Sequence, residues 1–364
     1  MLLHQCDEVQ PQCTRCARLQ IRCQYTTHQK PALLTEYDGL QDCVLKREPS
    51  PRAFAPVGVD LVQLELLHTW GAFTWATMPW PHALRDFWRV TVPGLALNHA
   101  YLMQALLAIP AFQLANLRPD RRSFYASIAL DYQRAASGSA KELLRDVPEA
   151  NDVSLSLFST LNLINTLATP RSPNQGVIVD DQNGGLNDLL IALKAMKSLL
   201  AVSWTNLLSS PLAPLLNHGS ERLVLQQSLC HSDPTWHRAN VCIEELQCRL
   251  NSHVTSVVNL DIYNNALQAI REAMHWSSLW EDTDTLLWVY RSLEDLIPLF
   301  EAQDQLALVL LGHFTIVLKS CESQWWLRGW SIQIMSHVYP RLDEVHKPWV
   351  YGPATEIGWI PPFL

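Results

Sequence analysis

Beyond Asp60 the apolar residues of this chain return every third or fourth position and hardly ever every second. That period belongs to helices that turn one face to a core, not to strands. Asp60 is placed to cap a helix carrying Leu64, Leu67, Trp70 and Phe73, ending before Pro79-Trp80-Pro81. Asn98 is placed to cap the next, with Leu102, Leu106, Ile109 and Phe112 in one stripe. Pro110 predicts a kink or a break inside it, because proline removes a helical donor. Pro119 suits the first turn of a helix running towards Ala136, and Asn151-Asp152 opens another through Leu155, Phe158 and Leu161. A loop with Pro170, Pro173, Gly176, Gly184 and Gly185 follows, in which residues 176–179 alone tempt a strand reading. Further helices are expected near 188–202, 237–253, 261–274, 285–300, 305–319 and 325–339. No repeat of fixed period is visible, which argues against a solenoid. The expectation for residues 60–364 is an all-α body of ten or more helices.

Composition agrees with a large buried core. The chain has 364 residues, 48% of them hydrophobic and 17% charged. That excludes a disordered chain, which would be poorer in apolar residues. Nine cysteines in this length exclude a small disulfide-stapled scaffold. Met1-Leu2-Leu3 runs at once into His4, Gln5 and Cys6, unlike a secretory leader. The longest apolar run, 306–318, is broken by Gly312 and His313 and falls short of the ~20 residues of a membrane span. A soluble protein of a reducing compartment is expected, with no membrane span.

Four of the nine cysteines, Cys6, Cys13, Cys16 and Cys23, lie within 18 residues, spaced C-x6-C-x2-C-x6-C. The pair Cys13 and Cys16 has the bite that brings two thiolates to one tetrahedral zinc. Arg15, Arg18 and Arg22 are interleaved with them. Residues 1–30 carry four Lys/Arg against two Asp/Glu, a net +2 in a chain of −8, so the rest is at −10. That change of sign fits a small nucleic-acid module on an acidic body.

Cys6 to Cys23, with Asp7-Glu8 and Pro11 in the loop, resembles the last four cysteines of the fungal binuclear zinc cluster of transcription regulators. The resemblance implies zinc as cofactor, Cys6, Cys13, Cys16 and Cys23 as its ligands, DNA as partner and the nucleus as location. Under it, Arg15, Arg18 and Arg22 would contact phosphates. The family's first C-x2-C and basic run, which supply the groove-reading helix, are not in this sequence. Two readings stand: the coding frame continues upstream of Met1, or a half-module closes a mononuclear all-cysteine site.

Residues 31–59 change character, with Pro31, Pro49, Pro51 and Pro56 among Gly39, Ser50 and Gly58. They read as a linker. They show no heptad seam, so a homodimer has no coiled-coil support there. The body also resembles the regulatory region of the same factors, of the type found in sterol uptake control regulators. Leu64-Glu65-Leu66-Leu67-His68, then Phe87-Trp88 with Val92-Pro93, carry that likeness at its start. Trp325-Trp326-Leu327-Arg328-Gly329-Trp330 and Glu356-Ile357-Gly358-Trp359 carry it at the end. It implies contact with the transcription machinery at RNA polymerase II promoters, and allows a sterol-like apolar ligand. A protein derived from such a factor that senses a ligand without binding DNA is the alternative.

No catalytic signature is present: no G-x-S-x-G, no G-x-G-x-x-G, no phosphate loop and no H-E-x-x-H. The expectation is a protein that is not an enzyme. His68, His99 and His313 read as partly buried core histidines. Trp325, Trp326 and Trp330 read as core aromatics before they read as the lining of a ligand pocket. Cys242 and Cys248, six apart on one helix, fall on different faces and do not suggest a shared metal.

Overall fold

The computed structural model describes residues 60–78, 82–143, 152–169, 186–229, 235–253, 257–277 and 295–361. The chain divides into two units, Met1–Val59 and Asp60–Leu364. The first unit lies outside the described residues, as do the 170–185 loop and most of the helix expected over 285–300.

Among the described residues every regular element is helical. In chain order these are α1 (Leu61–Ala72), α2 (Val92–Ala96), α3 (Ala100–Leu117), α4 (Arg122–Leu143), α5 (Asp152–Ala168) and α6 (Leu186–Leu208). They continue with α7 (Ala213–Leu229), α8 (Thr235–His253), α9 (Val257–Ser277), α10 (Gln305–Ser320), α11 (Trp330–Val338) and α12 (Tyr351–Glu356). Asp60 caps α1 as expected, its carboxylate accepting from the Val62 N–H at 2.9 Å. The buried face of α1 is Leu66, Thr69 and Trp70, while Leu64 is exposed, so the inward stripe is rotated from the expected one.

The first half of this unit is organised around α3, which packs on α1, α4 and α5. Thirteen of its 18 residues are buried. Its length and apolar content would suffice to cross a membrane, but 72% of it is buried inside the unit, the setting of a core helix. Two expectations for α3 are corrected. Asn98 does not cap it: the cap position is His99, and the Asn98 side chain donates back to the Gly94 carbonyl instead. Nor does Pro110 split it. The proline leaves the Leu106 carbonyl without its helical donor. The helix continues because α4 and α5 clasp it, and Asn165 of α5 donates to the adjacent Ala105 carbonyl at 2.8 Å.

The second half is organised around α10, packed on α9, α11 and α12. Asp304 caps it, accepting from the Ala307 N–H at 2.9 Å, and also accepts from the Tyr263 hydroxyl of α9 at 2.8 Å. Gly312 lets the turn at Lys347–Val350 approach closely, since a Cβ there would sit 2.8 Å from Val350 Cγ1. The helix expected from Trp325 begins only at Trp330. Residues 321–329 form turns closed by Gly329 at φ +86°, a left-handed conformation that favours glycine. Glu322 caps α11 from outside the helix, accepting from the Gly329 and Ser331 N–H groups and the Ser331 hydroxyl.

Candidate functional site

The sequence places its candidate chemistry at Cys6, Cys13, Cys16 and Cys23, with Arg15, Arg18 and Arg22. All seven lie outside the described residues. Among the described residues no group of three or more His, Cys, Asp or Glu side chains is placed to hold a metal ion. What the helical unit does place are polar anchors that join sequence-distant segments.

Four tryptophans join separate segments of the unit, and two of them tie its start to its end. The Trp325 indole N–H donates to the Thr77 hydroxyl at 3.0 Å, and Trp326 to the Thr77 carbonyl at 3.0 Å. Trp330 donates to the Leu167 carbonyl at the end of α5, at 2.9 Å. Trp70 donates to the Trp88 carbonyl at 3.1 Å. Trp70, Trp326 and Trp330 are almost wholly buried. Each ring fills core space while its single donor satisfies a main-chain acceptor, which is what a buried indole requires. Those N–H groups are therefore not free to recognise a ligand, and the core reading of Trp326 and Trp330 describes their setting.

A second anchor joins α1 to the α3–α4 corner. Arg118 is buried and pairs with Glu65 at 3.0 Å. It also donates to the Tyr125 hydroxyl at 2.5 Å, and that hydroxyl donates on to Glu65 at 3.2 Å. Burial raises the Tyr125 pKa, the Glu65 carboxylate adds to the rise, and Arg118 and Arg121 oppose it. Arg118 just before Pro119 carries no periodicity signal, so spacing alone does not reveal it. A buried Arg in reach of one carboxylate is held by the cost of separating them.

The three expected core histidines separate. His68 is exposed, against the expectation. His99 is half-buried at the start of α3. His313 is buried in α10, its Nδ1 2.9 Å from the Val309 carbonyl. A carbonyl only accepts, so the neutral ring carries its proton on Nδ1. Burial lowers its pKa from 6.5 to about 4, and the nearby Arg249 charge pushes the same way. The ring is therefore uncharged at neutral pH.

No family model matches the chain. Part of it is similar to the Zn(2)-C6 fungal-type transcription factor afumD of Aspergillus fumigatus, 37% identical over 117 residues. The match covers 32% of this chain and 30% of that protein, so it spans less than a third of either. It establishes distant homology to a fungal Zn(2)-C6 transcription factor, a link at the level of the family. Among the described residues the chain is helical throughout its regular elements, and the likeness bears on part of it alone.

Proposed function

We propose that this chain is a nuclear transcription regulator of the fungal Zn(2)-C6 kind, acting on RNA polymerase II promoters. The homology to a transcription factor of that type carries the reading. The C-x6-C-x2-C-x6-C spacing near the N-terminus supports it as well. In this reading Cys6, Cys13, Cys16 and Cys23 hold structural zinc as thiolates, a donor set that suits the metal and leaves no open position for catalysis. Arg15, Arg18 and Arg22 contact phosphates, which gives salt-sensitive affinity without reading base sequence. The helical unit regulates activity or contacts the transcription machinery.

Zinc content and promoter occupancy test this together. The purified full-length chain should carry zinc that is lost in the Cys13→Ser, Cys16→Ser double variant, measured by atomic absorption. Chromatin immunoprecipitation should show enrichment at promoters for the wild-type chain and not for that variant. Zinc binding with no promoter enrichment would favour a regulator that works without DNA contact. Absence of both would end the zinc-regulator reading.

A further inference from the structure

Trp75 lies on the short helical turn Thr74–Thr77, half-buried against the core of the first half. Its indole N–H is shielded from solvent and has no acceptor among the described residues. The Arg85 and Arg89 guanidinium carbons lie 5.6 and 5.8 Å from the centroid of its ring. Both arginines are exposed, and neither is in an ion pair among the described residues. Asp86, between them in sequence, is exposed and pairs with neither. A π-helical turn at Phe87–Thr91, which includes Arg89, follows directly on Arg85 and Asp86. Such turns are rare and recur at functional sites.

The arrangement is uncompensated in two ways. Two like charges share one aromatic ring, and a desolvated donor goes unanswered. A carboxylate relieves the first, because a guanidinium can stay stacked on an aromatic face while its N–H fork holds two oxygens. Tryptophan and arginine are also the side chains that dominate protein contacts. Val90, beside Arg89, is 63% exposed and supplies an apolar contact next to the charges. The openness of both arginines suits a protein partner better than a small anion, which is held in an enclosed site. The net −10 of the chain beyond residue 30 opposes a long polyanion such as nucleic acid more strongly than a short segment carrying a few carboxylates.

We propose that Trp75, Arg85 and Arg89 form a docking point for an acidic, partly apolar segment of a partner protein. Carboxylates of that segment take the two guanidiniums, and an apolar side chain rests on Val90. The site does not depend on zinc at the N-terminal cysteines.

The test uses the full chain and a fluorescein-labelled peptide of alternating Glu and Leu, read by anisotropy, with a Lys-for-Glu peptide as control. The Glu peptide should bind and weaken as salt rises, and the Lys peptide should not bind. Arg85→Gln with Arg89→Gln should weaken binding by about tenfold or more. Trp75→Leu, which removes the ring on which both guanidiniums rest, should weaken it a few-fold. The Cys13→Ser, Cys16→Ser variant should bind as wild type, so this result separates from that of the zinc reading. Wild-type affinity in the double arginine variant, with unchanged circular dichroism, would overturn the proposal. So would failure of the wild-type chain to bind the Glu peptide, or its displacement by inorganic phosphate where chloride of equal ionic strength has no effect.

Discussion

The helices Ala100–Leu117 and Gln305–Ser320 are each the centre of one half of the described unit, and they are fixed by different means. The first has no side-chain cap at its start and a proline near its middle. It holds together because helices enclose it, with one amide from α5 donating to its backbone. The second is capped by Asp304, tied by that same carboxylate to Tyr263, and notched by Gly312 for a close neighbour. Packing can therefore replace local helix chemistry where burial is nearly complete. Where segments must meet at a defined point, polar groups and a missing Cβ set the register.

The largest effect tests whether both helices are enclosed to the same degree. Phe112→Ala in α3 and Phe314→Ala in α10 should each cost about 3–5 kcal/mol in urea unfolding, from lost burial plus a cavity. Both rings are buried. A cost below about 1 kcal/mol for Phe112→Ala alone would mean that α3 is not enclosed as described, and would reopen its capacity to cross a membrane.

A second effect should be confined to α10. Burial holds the folded His313 near pKa 4, below the 6.5 of an exposed ring. The unfolded chain therefore takes up the proton first as pH falls. The contribution is flat above about pH 6.5, and stability is lost between about 6.5 and 4. The full loss across that window is on the order of 3 kcal/mol. His313→Gln should flatten the dependence of the urea midpoint over this range relative to wild type. An unchanged slope would place the proton uptake elsewhere.

The sequence made some elements legible and hid others for identifiable reasons. Asp60 and Asp152 mark the starts of α1 and α5 because each combines a short acidic side chain with an apolar period behind it. The α7 helix, Ala213–Leu229, was not foreseen. Pro214 and Gly219 are helix breakers by residue type, yet Pro214 stands in the first turn, where no helical donor is lost. The early start read for α11 came from Trp325, Trp326 and Trp330 standing at helical spacing while lying mostly in turns. The signal that would have corrected it is Gly329 before Trp330, a left-handed residue at a helix entrance. The Glu65–Arg118–Tyr125 anchor and the Trp75–Arg85–Arg89 cluster join residues that no periodicity relates. The cysteine reading rests on spacing alone, and its residues lie outside the described ones.

Gly312→Ala tests the notch directly. The added methyl would meet Val350 Cγ1 at 2.8 Å, and Val350 is fully buried with little room to yield. Overpacking of this kind costs about 1–3 kcal/mol. Val350→Ala on the same chain should recover part of the loss, because it removes the methyl that is struck. If the double variant is no better than the sum of the two changes, the approach is not set by this pair.

The smallest effect contrasts the two helix starts. Asp304→Ala removes the cap on the Ala307 N–H and leaves the Tyr263 hydroxyl, on a side chain only 2% exposed, without its acceptor. The expected cost is about 1–2 kcal/mol. The phenol should also titrate lower, because burial first and then Asp304 hold its pKa up. Asn98→Ala removes only a 3.4 Å contact to the Gly94 carbonyl at an exposed position, and should change stability by less than about 0.5 kcal/mol. Equal costs for the two variants would show that α3 does depend on a side chain at its entrance, and that packing alone does not hold it.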